Sequence, residues 1–277
     1  MSLRGLAFAA LLATPSVAAE PQRILSIGGA VTEIVYALGQ QDRLIGRDTT
    51  STWPPEAVAL PDVGYIRALS PEGVLSLGPD LILAEDGAGP PEAMAAITAA
   101  SVPVVRVPDD PSPEGVAAKI RAVAVALGQA EQGEALATRV RDQIAAVTAR
   151  TGTEPQKRRA VFLLSTAGGR LMAAGEGSSA GMMLDLAGAE NALRGFRGYK
   201  PVSDEALIAA APEVVVMMAG ASTPSAADLF ALPALAASPA AAGAQLVTLD
   251  GLLLLGFGPR TGEAVRALHD ALYPAEG

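Results

Sequence analysis

Along most of this chain, short apolar runs alternate with segments whose apolar residues recur every three to four positions. Residues 23–27 form a compact β run that ends in Gly28-Gly29. Val31, Ile34, Val35 and Leu38 then take helical spacing, and Gly39 stops the helix. Residues 44–46, 81–83 and 102–107 predict further strands, with helices over 69–77 and 91–100 between them. The second half starts again with a β run at 160–165, a Gly-rich turn and a helix over 179–187. Strands follow at 214–218 and 245–249, an apolar strand at 251–257, and a closing helix at 261–272. Such alternation predicts mostly parallel sheets covered by helices.

The middle reads differently. Residues 113–150 are Ala-rich with charges at helical intervals, and 130–150 contain no proline. That stretch predicts one helix of roughly 30 Å, long enough to run along a whole small domain. The expected fold class is α/β: two Rossmann-like lobes of mostly parallel sheet flanked by helices, joined by one long α-helix, with a ligand cleft between the lobes. The boundaries fall at 1–19 for a leader, 20–127 for the first lobe, 128–156 for the linking helix and loop, and 157–277 for the second lobe.

An internal repeat supports two related halves. Ser70-Pro71-Glu72, six residues, Pro79-Asp80 and an apolar run match Ser203-Asp204-Glu205, six residues, Pro212-Glu213 and an apolar run. The Ser, Glu and Pro of each copy stand 133 residues apart. A Gly-Tyr pair precedes each copy, Gly64-Tyr65 and Gly198-Tyr199. Two related lobes facing each other leave a gap where a small ligand binds.

Composition narrows the chemistry. Half of the residues are hydrophobic and 18% are charged, so the chain buries a large core. The formal charge is −9, and the absence of a Lys/Arg cluster argues against nucleic acid. An acidic balance fits a soluble monomer. With no cysteine and the single His269, disulfides, thiolate metal sites and a lipid anchor are ruled out for this sequence, and a His-rich zinc or manganese site is disfavoured. Residues 1–19 carry Arg4, an apolar run over 5–12 and small residues, with Val17 and Ala19 where a signal peptidase reads. This predicts a cleaved leader and a periplasmic protein. The apolar run is too short to span a bilayer. There is no dinucleotide fingerprint, P-loop or nucleophile elbow, so the chain is not expected to be an enzyme.

Several residues invite a sharper reading. Ser70 and Ser203 suit helix N-caps, with Glu72 and Glu205 in the first turn. The glutamates either complement the helix dipoles or dock, one per lobe, onto arginines of a symmetric partner. Tyr65 sits in a turn-rich loop with Arg67 two positions on, where a cation favours the phenolate. A phenolate suits ferric iron, and tyrosine is a known haem ligand; a tyrosine packed at a loop edge is the other reading. Arg260 precedes the last helix, either solvated or holding an acidic group such as a propionate. Trp53 can stack on a planar ligand or pack, Met172 suits a core, and His269 reads as a surface or packing residue.

Residues 64–77 (GYIRALSPEGVLSL) resemble the signature loop of periplasmic haem-binding subunits of haemin ABC importers. Residues 172–175 (MAAG), 198–201 (GYKP) and 254–260 (LLGFGPR) resemble further segments of that family. The resemblance implies ferric haem b carried between the lobes, with Tyr65 as axial ligand and Arg67 near it. Tyr199 and Arg260 complete the expected ligand-binding set. It also implies that Glu72 and Glu205 meet an ABC permease dimer with its ATPase subunits. Some relatives add a histidine from the second lobe, but residues 164–170 read LSTAGGR. Five-coordinate haem on Tyr65, or a weak sixth ligand, is expected. A ferric siderophore or corrinoid on the same scaffold is the alternative, since a fold does not fix its ligand.

Overall fold

The computed structural model describes residues 20–274, so the expected leader at 1–19 lies outside the described residues. The first lobe runs β1 (Ile24–Ile27), α1 (Gly29–Ala37), β2 (Leu44–Arg47), α2 (Pro71–Ser76), β3 (Leu81–Glu85), α3 (Pro91–Ala99), β4 (Val104–Val107) and α4 (Pro113–Ala126). Its sheet is fully parallel in the order β2-β1-β3-β4. Both faces of β1 are buried, as its unbroken apolar run requires.

The helix α5 (Ala130–Thr151) follows, 22 residues or about 33 Å long. Leu136, Val140, Ile144 and Val147 make its buried stripe, against which α4 packs.

The second lobe comprises β5 (Arg159–Ser165), β6 (Leu171–Ala174), α6 (Ser179–Leu186), β7 (Glu190–Asn191), β8 (Tyr199–Val202), α7 (Asp204–Ala210) and β9 (Val214–Ala219). Three short helices come next, α8 (Ala226–Phe230), α9 (Pro233–Ala236) and α10 (Pro239–Ala242). The chain ends with β10 (Leu246–Asp250), α11 (Gly251–Leu255) and α12 (Thr261–Leu272). The sheet order is β10-β9-β5-β6-β8. Its β10, β9 and β5 are parallel, whereas β6 pairs antiparallel with both β5 and β8. The second sheet is therefore mixed.

Residues 251–255 are helical, not the strand their apolar run predicts. Asp250 caps the turn, its Oδ1 accepting from the Leu253 amide at 2.8 Å, and leucine lacks the β-branching that resists a helix. The repeated unit has the same form in both lobes, a Ser-capped helix followed by a strand. Ser70 accepts from the Gly73 amide and Ser203 from the Ala206 amide. One hydrophobic cluster runs through both lobes, from Ile24 and Val31 past Val140 of α5 to Phe162, Val265 and Leu272.

Candidate functional site

A cleft of about 730 Å³ lies between the lobes. The first lobe lines it with Gly29, Ala30, Thr50, Thr52, residues 65–67 and 85–87, and Asp109; the second with Leu164, Ser179, Tyr199, Met218, residues 250–252, Leu255 and Gly256. Most of these positions follow the carboxyl ends of parallel strands, where an open α/β sheet leaves a crevice.

Local hydrogen bonds hold the cleft loops. Asp48, fully buried, accepts from the Gly28 amide at 2.9 Å, from the Thr50 amide and hydroxyl, and from the Ser51 hydroxyl at 2.7 Å. The Tyr65 loop hangs from Asp62, which accepts from the Gly64 amide at 2.8 Å and the Thr49 hydroxyl at 3.1 Å. Gly64 has φ 98°, which suits glycine and turns the chain outward. Ile66 plugs into the first-lobe core, so neighbouring Tyr65 stays 48% exposed. Its phenol has no hydrogen-bond partner among the described residues, and Arg67 shares the same wall.

Tyr199, the repeat's counterpart, is held differently. Its hydroxyl accepts from the Ala180 amide at 3.3 Å, at the start of α6, and its ring meets Phe162 edge-on at 6.4 Å. Burial pushes its phenol above the usual 10, partly opposed by the Ala180 amide, Ser179 and Arg67. The two tyrosines share the cleft, one free at the oxygen and one tied.

Arg260, expected to face an acidic ligand group, instead lies outside the cleft lining. Its guanidinium grips Glu33 Oε1 of α1, with Nη2 at 2.5 Å and Nε at 3.2 Å, and covers the Trp53 ring at 4.4 Å. Burial raises the Glu33 carboxyl above its usual 4.5, against the pull of Arg260.

Lys119 escaped the sequence reading. It is 0% exposed on α4, and its Nζ donates to Glu85, to Asp109 at 3.0 Å and to the Gly256 carbonyl at 3.2 Å. Burial opposes the Lys119 charge, but the two carboxylates outweigh it and raise the pKa above 10.5. Burial likewise raises the Glu85 carboxyl, with Lys119 opposing. The signal lay in the spacing: Lys119 falls on the apolar face formed by Val116, Ile120 and Val123.

Glu72 and Glu205 are exposed in the first turns of α2 and α7. The Glu205 carboxyl is held below its usual 4.5 by its own backbone amide and the Ser203 hydroxyl. Met172 lies in β6 opposite Pro201, outside the cleft lining. His269 is bound to the Ala187 carbonyl at 3.0 Å and faces Glu154 at 3.5 Å. Among the described residues, no group of three or more His, Cys, Asp or Glu side chains suits a metal ion, and no helix is long and apolar enough to cross a membrane.

The periplasmic binding protein family model matches residues 24–252. Among solved structures, the periplasmic heme-binding protein BhuT in complex with two hemes superposes with a TM-score of 0.84. It is 44% identical over 90% of this chain and 97% of that one. The periplasmic heme-binding protein RhuT from Roseiflexus sp. RS-1, in apo form, gives 0.88 at 39% identity, covering 91% and 98%. An ABC transporter substrate-binding lipoprotein of Bacillus subtilis, YvrC, is 26% identical over 92% of this chain and 81% of its own length. A vitamin B12-binding protein of Pectobacterium atrosepticum is 34% identical over 48% of each chain.

Proposed function

Because the chain belongs to the periplasmic binding protein family, we propose that it captures ferric haem b in the cleft between its lobes and delivers it to an ABC importer. The observation that carries this reading is the Tyr65 phenol, exposed on the wall of a 730 Å³ cleft with no internal partner among the described residues. A cleft of that volume is of ligand size. Leu164, Met218, Leu252 and Leu255 offer apolar surface to a macrocycle.

Tyr65 is the axial ligand in this reading, since a phenolate is a hard anionic donor for ferric iron. Arg67, on the same wall of the cleft, meets a propionate. The other charges in the lining are the carboxylates of Glu85, Asp86, Asp109 and Asp250, so Arg67 is the anionic ligand group's natural counterpart there. Tyr199 faces the macrocycle from the opposite lobe with its oxygen already engaged. Glu72 and Glu205, one exposed carboxylate on each lobe, dock onto arginines of the permease dimer. The leader at 1–19 is cleaved and the carrier is released as a free monomer into the periplasm, unlike the Bacillus relative named a lipoprotein.

A corrinoid is the second reading, favoured by the vitamin B12-binding relative. Titration with haemin and with cyanocobalamin separates the two. Haemin is expected to bind with a Soret band of tyrosinate-ligated ferric haem, and Tyr65→Ala to weaken binding and shift the band. An unaltered spectrum and affinity in Tyr65→Ala removes Tyr65 from the site, and preferential cyanocobalamin binding replaces the haem reading with the corrinoid one.

A further inference from the structure

Two cation–carboxylate clusters, built on buried Lys119 and buried Glu33, hold the two ends of one short segment of the second lobe. At its start, the Gly256 carbonyl accepts from Lys119 Nζ, which Glu85 and Asp109 of the first lobe also engage. At its end, Arg260 is gripped by Glu33 of α1 and lies over Trp53. Between these anchors, buried Phe257 has φ 47°, a left-handed conformation disfavoured for a residue with a Cβ. Such backbone persists only where its surroundings over-determine it. Gly29 of α1 packs so tightly on Leu252 that a Cβ there would collide with it.

The clamped segment borders the ligand space. Gly256 and Leu255 line the cleft from the second lobe, facing Gly29 and Ala30 of the first. We infer that Glu33, Arg260 and Lys119 are positioning residues: they clasp the Gly256–Arg260 segment to the first lobe and so fix the depth and width of the cleft. The inference rests on that cleft being the ligand site proposed above, but not on which ligand fills it.

The clasp works because each anchor contains one buried charge with a dedicated partner, Lys119 with Glu85 and Glu33 with Arg260. Removing one partner leaves the other uncompensated, so the segment lets go instead of relaxing slightly. Once released, Phe257 can leave its left-handed conformation. The Leu252–Gly29 contact then loosens and the lobes gain freedom.

Hydrogen exchange on the ligand-free, full-length protein tests this directly. In Arg260→Gln, amides of residues 252–260 and 29–33 are expected to exchange at least about tenfold faster, the equivalent of ~1.4 kcal/mol of lost protection. Emission of Trp53, the only tryptophan, is expected to change as its cation neighbour leaves. Haemin affinity is expected to fall by about tenfold with an unmoved Soret band, and Arg260→Lys to restore part of both. Unchanged exchange in the ligand-free protein overturns the inference. So does a displaced Soret band with unchanged exchange, which makes Arg260 a ligand contact.

Should Arg260→Gln not fold, Glu33→Gln keeps an acceptor oxygen and is expected to give a smaller change of the same sign; no change there also overturns the clasp. Tyr65→Phe separates the two readings. Failure of that variant to alter the haemin spectrum sinks haem ligation and leaves the exchange result standing.

Discussion

Replacing Lys119 with methionine isolates the cost of the buried cation. Methionine keeps most of the aliphatic stem, so packing on α4 is largely retained. What is lost is the positive charge against Glu85, 14% exposed at its side chain, and Asp109, 35% exposed. Asp109 is open enough for water to screen it and counts little. Glu85 is left as an uncompensated buried carboxylate, a loss of about 3–5 kcal/mol. At a urea dependence near ~3 kcal/mol/M, the unfolding midpoint falls by about 1–1.7 M.

The loss depends on pH in a defined direction. Burial already raises the Glu85 carboxyl above 4.5, and without Lys119 to oppose it the value climbs further. A folded-state value above the unfolded one stabilises fully below about pH 4.5, and that stabilisation disappears as pH rises through the folded value. The Lys119→Met deficit is therefore expected to be small at pH 5 and large at pH 8. Lys119 itself is charged at both pH values and does not affect the comparison. Adding Glu85→Gln is expected to recover at least half of the deficit at pH 8. Urea unfolding followed by circular dichroism reads all three quantities. An equal deficit at both pH values, or one below about 1 kcal/mol at pH 8, refutes the reasoning.

Two further outcomes follow from the tied groups. Tyr199→Phe removes the acceptor of the Ala180 amide and is expected to cost about 0.5–1.5 kcal/mol in thermal unfolding, while the proposed ligation by Tyr65 requires the haemin Soret band to stay in place. Ser203→Ala removes the cap of α7 at about 1 kcal/mol and is expected to bring the Glu205 carboxyl, followed by NMR, back toward 4.5; an unmoved value assigns the shift to the backbone amide alone.

The parallel cores were legible because buried strands such as β1 and β9 carry unbroken apolar runs, and α5 carries a clean helical stripe. The repeat exposed the matched Ser-capped helices because cap chemistry is local. The antiparallel β6–β8 edge was not legible. Residues 199–202 include Pro201 and are only partly buried, so tertiary pairing, not pattern, makes them a strand. Residues 251–255 misread for the opposite reason: an apolar run of that length fits a strand or a helix, and the decision rests on the Asp250 cap. At the site, Tyr65 was visible from its loop. The partners of Arg260 were not, because Glu33 lies 227 residues away and nothing local marks the pair.

The hydrophobic cluster shared by both lobes has a consequence for how the molecule is made. Val265, Leu268 and Leu272 of the final helix belong to the same buried assembly as Ile24, Val31 and Val35 near the other end. During synthesis this shared assembly stays incomplete until the closing helix emerges, whereas Leu25, Ile27, Val74 and Ile82 of the first lobe already form a buried cluster of their own.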